Sequence, residues 1–214
     1  MLITKRVAPP IGEKRVTVRN LDWPAYQQLR SLLEHRTHAR LTYDRGTLEI
    51  TMPLEEHEFA SEMIALFVRV LVTEMGLKLK SMGSTTLDRE DLKRGAEPDK
   101  GFYIQNQQIV AGRTVDLATD PAPDLIVEVD ITNTDIDKNE FYASMGVPEF
   151  WRFNGREWRI YQLQGQTYVE CDLPPTFPIV EKTDLYHFLE ACQQDEIAAE
   201  SNFRAWVRQK LAQL

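Results

Sequence analysis

No stretch of the 214 residues is apolar for long enough to cross a bilayer, and the opening run MLITKRVAPPIGEKR lacks the apolar centre of a secretion signal. The expectation is a cytoplasmic protein with no membrane partner. Cysteine is scarce, with Cys171 and Cys192 alone and far apart. That excludes a disulfide framework, and no Cys/His group has zinc-site spacing. Basic residues are also short: 25 Lys+Arg stand against 33 Asp+Glu, a net charge of -8. This balance argues against a broad phosphate-binding surface. It leaves room for a local basic groove or a bound divalent cation, either of which reverses the field where it acts. Internal repeats and low-complexity runs are missing as well.

What is present suits a folded domain: 43% of residues are hydrophobic and 27% charged, enough to build a core. Residues 1–15, with two prolines and no periodicity, read as an N-terminal arm, and 16–214 as a single domain. Asp22-Trp-Pro24 starts a helix running to about Leu33, with Asp22 as cap. Ala39–Tyr43 and Thr47–Thr51 alternate around Asp44-Arg-Gly46 and predict a hairpin. From 55 to 75, Phe59, Met63, Phe67, Val70, Leu71 and Met75 form one apolar stripe, so a helix is expected, ended by Gly76. Strands follow over Leu77–Leu87 and Pro98–Gln105, then a long connection over 105–122. Asp124–Asp130 is a strand rich in β-branched residues. A helix over Ile136–Met145 stops at Gly146, and strands over Glu149–Phe153, Arg159–Leu163 and Gln166–Cys171 precede helices at 184–193 and 195–212. The expected class is α+β (mixed α/β), a central mixed β-sheet flanked by helices.

The strand 124–130 carries an anomaly. With period two, Leu125, Val127 and Val129 share one face, and Asp124, Ile126, Glu128 and Asp130 the other. Glu128 thus lies between valines in a strand whose composition predicts burial. A buried carboxylate costs several kcal/mol unless Lys, Arg or a metal compensates it. A second acid, Asp99 in Glu97-Pro-Asp99, opens another expected strand. If the two strands are neighbours, Asp99 and Glu128 converge, and two carboxylates with open water positions make a Mg²⁺ site of the kind that acts on phosphates. Pro98-Asp99 and Pro121-Ala-Pro-Asp124 read equally as turn formers. Asp124 is assigned to a turn or strand edge, while Asp130 is left between the metal site and a cap for the following turn.

Pro98-Asp99 followed by Glu128-x-Asp130 on a hydrophobic strand resembles the PD-(D/E)XK nuclease signature. The longer run PAPDLIVEVDITNTDIDKNEFYASMGVPEFWRF (121–153) resembles the restriction-endonuclease-like family abundant in cyanobacteria, as do LDWPAYQQL (21–29), MPLEEHE (52–58), EPDKGFYI (97–104) and FRAWVRQ (203–209). The resemblance implies a restriction-endonuclease-like core, Mg²⁺-dependent DNA cleavage (with Mn²⁺ as a substitute) and a homodimer. It assigns Asp99 and Glu128 to the metal. Asp130 stands where the signature has a lysine, and the resemblance transfers that lysine's task to Lys138 on the next helix. Read by itself, Lys138 is one solvated charge in DIDKNE. An acid from the long helix often joins such sites, which brings in Glu62, one turn from Glu58, together with the adjacent His57. The bland reading of Glu55, Glu56 and Glu58 is charge that complements the helix dipole. Trp151 is assigned to core packing ahead of base stacking, and the stripe Phe203, Trp206, Val207 and Leu211 to docking on the domain or a second subunit.

Three functions compete: an endonuclease on DNA, a non-catalytic binding or regulatory relative of the nuclease fold, and a metal-dependent phosphoesterase on small nucleotides. The acidic balance and Asp130 speak for the second.

Overall fold

Strand pairing gathers the chain into two sheets. The computed structural model describes residues 13–33 and 39–214. Strands β1 (Glu13–Val18), β2 (Arg40–Asp44), β3 (Thr47–Pro53), β5 (Leu87–Arg89) and β6 (Arg94–Ala96) form a five-stranded antiparallel sheet in the order β1-β3-β2-β6-β5. Strands β4 (Lys80–Gly83), β7 (Lys100–Tyr103), β8 (Leu125–Val129), β9 (Glu149–Phe153), β10 (Trp158–Gln164) and β11 (Thr167–Cys171) form a six-stranded sheet ordered β11-β10-β9-β8-β7-β4. Its β8–β9 pair is parallel and its other pairs antiparallel. The helices are α1 (Trp23–Leu33), α2 (Glu55–Glu74), the short α3 (Gln107–Val110), α4 (Lys138–Ser144), α5 (Lys182–Cys192) and α6 (Glu196–Leu211). This is an α+β fold, as the pattern of elements implies. Among the described residues no helix is long and apolar enough to cross a membrane.

The two faces of β8 are covered by different helices. Leu125, Val127 and Val129 enter one core with α2, α5 and α6, where Phe67, Phe188 and Phe203 meet. Ile126 enters a second with Phe141, Tyr142 and Phe150, beneath α4. Both faces are therefore buried, which explains the nearly unbroken apolar composition of the strand. The smaller sheet has its own core, in which Trp23 and Tyr26 of α1 meet Tyr43 of β2. Gly95 lies so close to Asp88 and the Tyr26 ring that a Cβ there would overlap both.

Three expectations need correction. Residues 13–15 belong to β1, paired with β3, and 1–12 lie outside the described residues. The expected strand 77–87 is two strands in different sheets. Its ladder with β7 is irregular between Ser81 and Gly83, and Gly83 takes φ +57°, which turns the chain away. The connection 105–122 contains α3. Strand β6 gave no signal, since three residues are too few to show alternation.

The crossover from β8 to β9 runs through α4, which begins at Lys138. Asp137 fixes that start: its side chain accepts from Asn139 N at 2.9 Å and Glu140 N at 3.1 Å. Asp137→Ala is expected to cost about 1 kcal/mol through the lost cap, read by denaturant melts.

Candidate active site

The C-terminal end of β8 faces the polar side of the smaller sheet. Arg40 and Thr42 alternate with Leu41 and Tyr43 on β2, and Glu13 and Arg15 lie on β1 in register with Pro53 and Thr51 of β3. The apolar side of this sheet packs on α1. Its polar side closes a cavity of about 10 Å³, lined by Glu13, Arg15, Arg40, Thr42, His57, Asp99, Glu128, Asp130 and Lys138 among others. That is room for about one water.

Asp99 and Glu128, both buried, meet at this cavity. Asp99 lies just ahead of β7, whose antiparallel pairing with β8 sets Lys100 opposite Val127. The Asp99 carboxylate consequently reaches the next free rung of the ladder, and its Oδ2 accepts from Val129 N at 2.6 Å. His57 Nε2 lies 3.2 Å from the same oxygen, while Oδ1 is paired with Arg40. Arg40 also reaches Glu58 Oε1 at 2.8 Å. Glu128 Oε1 accepts from Lys138 Nζ at 2.7 Å and from the Tyr142 hydroxyl. Both donors come from α4, which the crossover folds back over the strand.

Asp130 is held by charge of the opposite sign. Its Oδ2 lies 3.2 Å from Arg152 Nη2 and its Oδ1 3.5 Å from Arg15 Nη2. Arg15 also binds Glu13 at 2.6 Å and Glu49 at 2.7 Å. The loop after β8 is sewn to the same two acids, since Thr132 N donates to Glu13 at 3.2 Å and the Thr134 hydroxyl to Glu49 at 2.7 Å. Asp130 thus ties β8 to β1 and β9 in addition to lining the cavity.

These contacts set the protonation states. Burial, aided by Arg40, pushes His57 down to about 4, so it is neutral near pH 7. Burial opposes the charge on Lys138, but Glu128 and Asp130 outweigh it and raise the ammonium above its ordinary value. Burial likewise opposes ionisation of Asp130, and Lys138, Arg152 and Arg15 overcome it, leaving the carboxyl below the usual range. Tyr142 is pushed well up by burial and then by Glu128, so it stays a neutral donor. Five buried carboxylates (Glu13, Glu49, Asp99, Glu128, Asp130) face four cations (Arg15, Arg40, Lys138, Arg152), leaving one formal negative charge.

Of the residues singled out by sequence, Asp99, Glu128, Asp130, Lys138 and His57 are brought together. Glu62 is not: it is exposed and pairs with Lys100 at 2.7 Å. Asp124 accepts from Ile104 N, Asn106 N and the Asn106 amide, which makes it the clasp of a turn. Trp151 is fully buried, edge-on to Trp158 at 4.7 Å, with its N–H on Glu149. Sequence reasoning missed Glu13, Arg15, Arg40, Glu49 and the role of Tyr142. Alternation in β1 to β3 was the available signal, but a polar strand face ordinarily reads as solvent-exposed.

In donor type, Asp99 and Glu128 suit a hard divalent cation, which binds through one or two carboxylates and keeps several waters. No cluster of three metal-ligating side chains is assembled among the described residues. The arrangement offers two carboxylates lining one cavity, with a charged ammonium beside one and a guanidinium on the other. A search of curated proteins finds no match to the chain. Residues 23–189, which span every element from α1 to most of α5, match the model of the Uma2 (putative restriction endonuclease) family, and the chain belongs to that family.

Proposed function

We propose that this protein is a divalent-cation-dependent endonuclease that hydrolyses DNA phosphodiester bonds, with Asp99 and Glu128 holding Mg²⁺ or Mn²⁺ and Lys138 as the positioning cation. The carrying observation is Lys138 Nζ at 2.7 Å from Glu128 Oε1, at a cavity that Asp99 also lines. When bound, the metal supplies charge to the scissile phosphate and a more acidic water. An ammonium has three N–H donors. Lys138 spends one on Glu128 and can aim the others at the attacking water or a phosphate oxygen. Held in its charged form, it serves as a donor and a stabiliser of negative charge rather than as a base. Neutral His57 and Val129 N orient Asp99, and Tyr142 orients Glu128. Asp130, occupied by Arg15 and Arg152, is a structural substitute for the motif lysine and not its chemical equivalent. In line with the family resemblance, the working unit is a homodimer on DNA.

The test is plasmid cleavage in Mg²⁺ or Mn²⁺ with an EDTA control, comparing wild type, Asp99→Ala and Glu128→Gln. Both variants should keep wild-type circular dichroism and leave the plasmid intact. Unchanged cutting by either would remove that residue from the mechanism.

The acidic net charge and Asp130 favour a second reading, a non-catalytic relative. Such a protein would retard DNA in a salt-dependent way and cut it with no metal. Release of phosphate from small nucleotides with polymers spared would instead point to a phosphoesterase.

A further inference from the structure

The two carboxylates at the cavity do not hold their cations in the same way. Lys138 is buried at the first turn of α4, behind its Asp137 cap, and its ammonium lies inside the cavity wall. Arg40 stands at the rim. Its guanidinium bridges buried Asp99 and Glu58, whose side chain is 50% exposed on the first turn of α2. One arm thus faces the site and the other faces solvent. A guanidinium has five N–H donors in a planar fork that matches a carboxylate and a phosphate equally well. Glu58 retains a hold on Arg40 when Asp99 lets go, so release moves the head group a short distance and does not free the whole side chain.

From this we infer that Arg40 is an exchangeable counter-ion of the site. It occupies Asp99 in the metal-free protein, yields that carboxylate to a divalent cation, and then turns its fork to the substrate phosphate. The inference rests on the metal-dependent reading proposed above, and it names the residue that regulates metal entry. Two consequences follow. Metal affinity is reduced by the fraction of molecules in which Asp99 is occupied. Metal and DNA also cooperate, because each favours the arrangement in which Arg40 has left Asp99.

The experiment is calorimetric titration of metal-free protein with MnCl₂ in the absence of DNA, for wild type, Arg40→Ala and Arg40→Gln. Arg40→Gln keeps most of the stem that packs at the rim, and guards against loss of fold in the smaller variant. Both variants should bind Mn²⁺ about tenfold tighter than wild type, if the closed arrangement outweighs the open by about ten to one. Mn²⁺ should also raise their melting temperatures by more than it raises that of wild type. A short DNA duplex, followed by fluorescence anisotropy in Ca²⁺, should bind the variants about tenfold more weakly, the loss of one charge-assisted contact. Equal or weaker Mn²⁺ binding by the variants would overturn the exchange while leaving the nuclease reading intact. Tighter Mn²⁺ binding with unchanged DNA affinity would overturn the phosphate contact. If no protein in the series, wild type included, bound Mn²⁺, the metal-dependent reading would fall and the exchange with it.

Discussion

Lys138→Met is expected to remove about 3–5 kcal/mol of folding stability, the usual loss when one partner of a buried ion pair is deleted. Methionine fills much of the same volume, so the loss is electrostatic rather than a cavity. Glu128 would keep a hydrogen bond from Tyr142, a neutral group, and lose the ammonium now paired with it. Asp130 would lose the largest of the charges that hold it ionised. Under the proposed nuclease function, cleavage should fall by about 10² to 10⁴-fold, the range for a positioned proton-handling or charge-stabilising group. The double variant Lys138→Met/Glu128→Leu separates the two effects. With the charge pair replaced by apolar groups, most of the stability should return, while activity stays absent. Urea melts of the single and double variants provide the check. If the double variant is no more stable than Lys138→Met, packing of the lysine stem rather than charge was what mattered.

The part of this site that was legible in sequence follows from one periodicity. Alternation in β8 placed Leu125, Val127 and Val129 on one face, and they lie in the core shared with α2, α5 and α6. It placed Ile126 and Glu128 on the other, where α4 lies. Burial of Glu128 then demanded a cation, and chemistry alone allowed Lys, Arg or a metal. The resemblance selected Lys138, because the helix geometry that returns it to the strand depends on the crossover and not on local spacing.

What stayed hidden was tertiary. The polar faces of β1 to β3 are those of an ordinary exposed hairpin until the sheet turns inward over the end of β8. No local pattern encodes that rotation. Glu62 was misplaced for a related reason. It shares a helix face with Glu58, but four residues along a helix is about 6 Å of rise, so Glu58 reaches Arg40 at the rim while Glu62 meets Lys100 beyond it. The break at Gly83 likewise became visible only when β4 and β5 joined different sheets.

Phe67→Ala is the change expected to cost most in the core remote from the chemistry. Phe67 is fully buried on α2, stacked on Phe203 of α6 at 4.5 Å, tilted against Phe188 of α5 at 5.5 Å, and edge-on to Trp158 of β10 at 6.2 Å. One ring therefore joins three helices to the larger sheet. A loss of about 3–5 kcal/mol is expected. At this chain length that is roughly a 10 °C fall in melting temperature. Phe67→Leu, which keeps most of the apolar volume, should lose clearly less. The candidate site should be spared below the melting transition. Phe67 lies ten residues along α2 from His57, about 15 Å of helical rise, and His57 and Glu58 are anchored by Asp99 and Arg40 as well as by the helix. Folded Phe67→Ala protein should accordingly bind Mn²⁺ like wild type. Impaired binding at a temperature where the variant is still fully folded would mean that α2 transmits core packing to its first turn, and that the cavity depends on the aromatic cluster as well as on its own ion pairs.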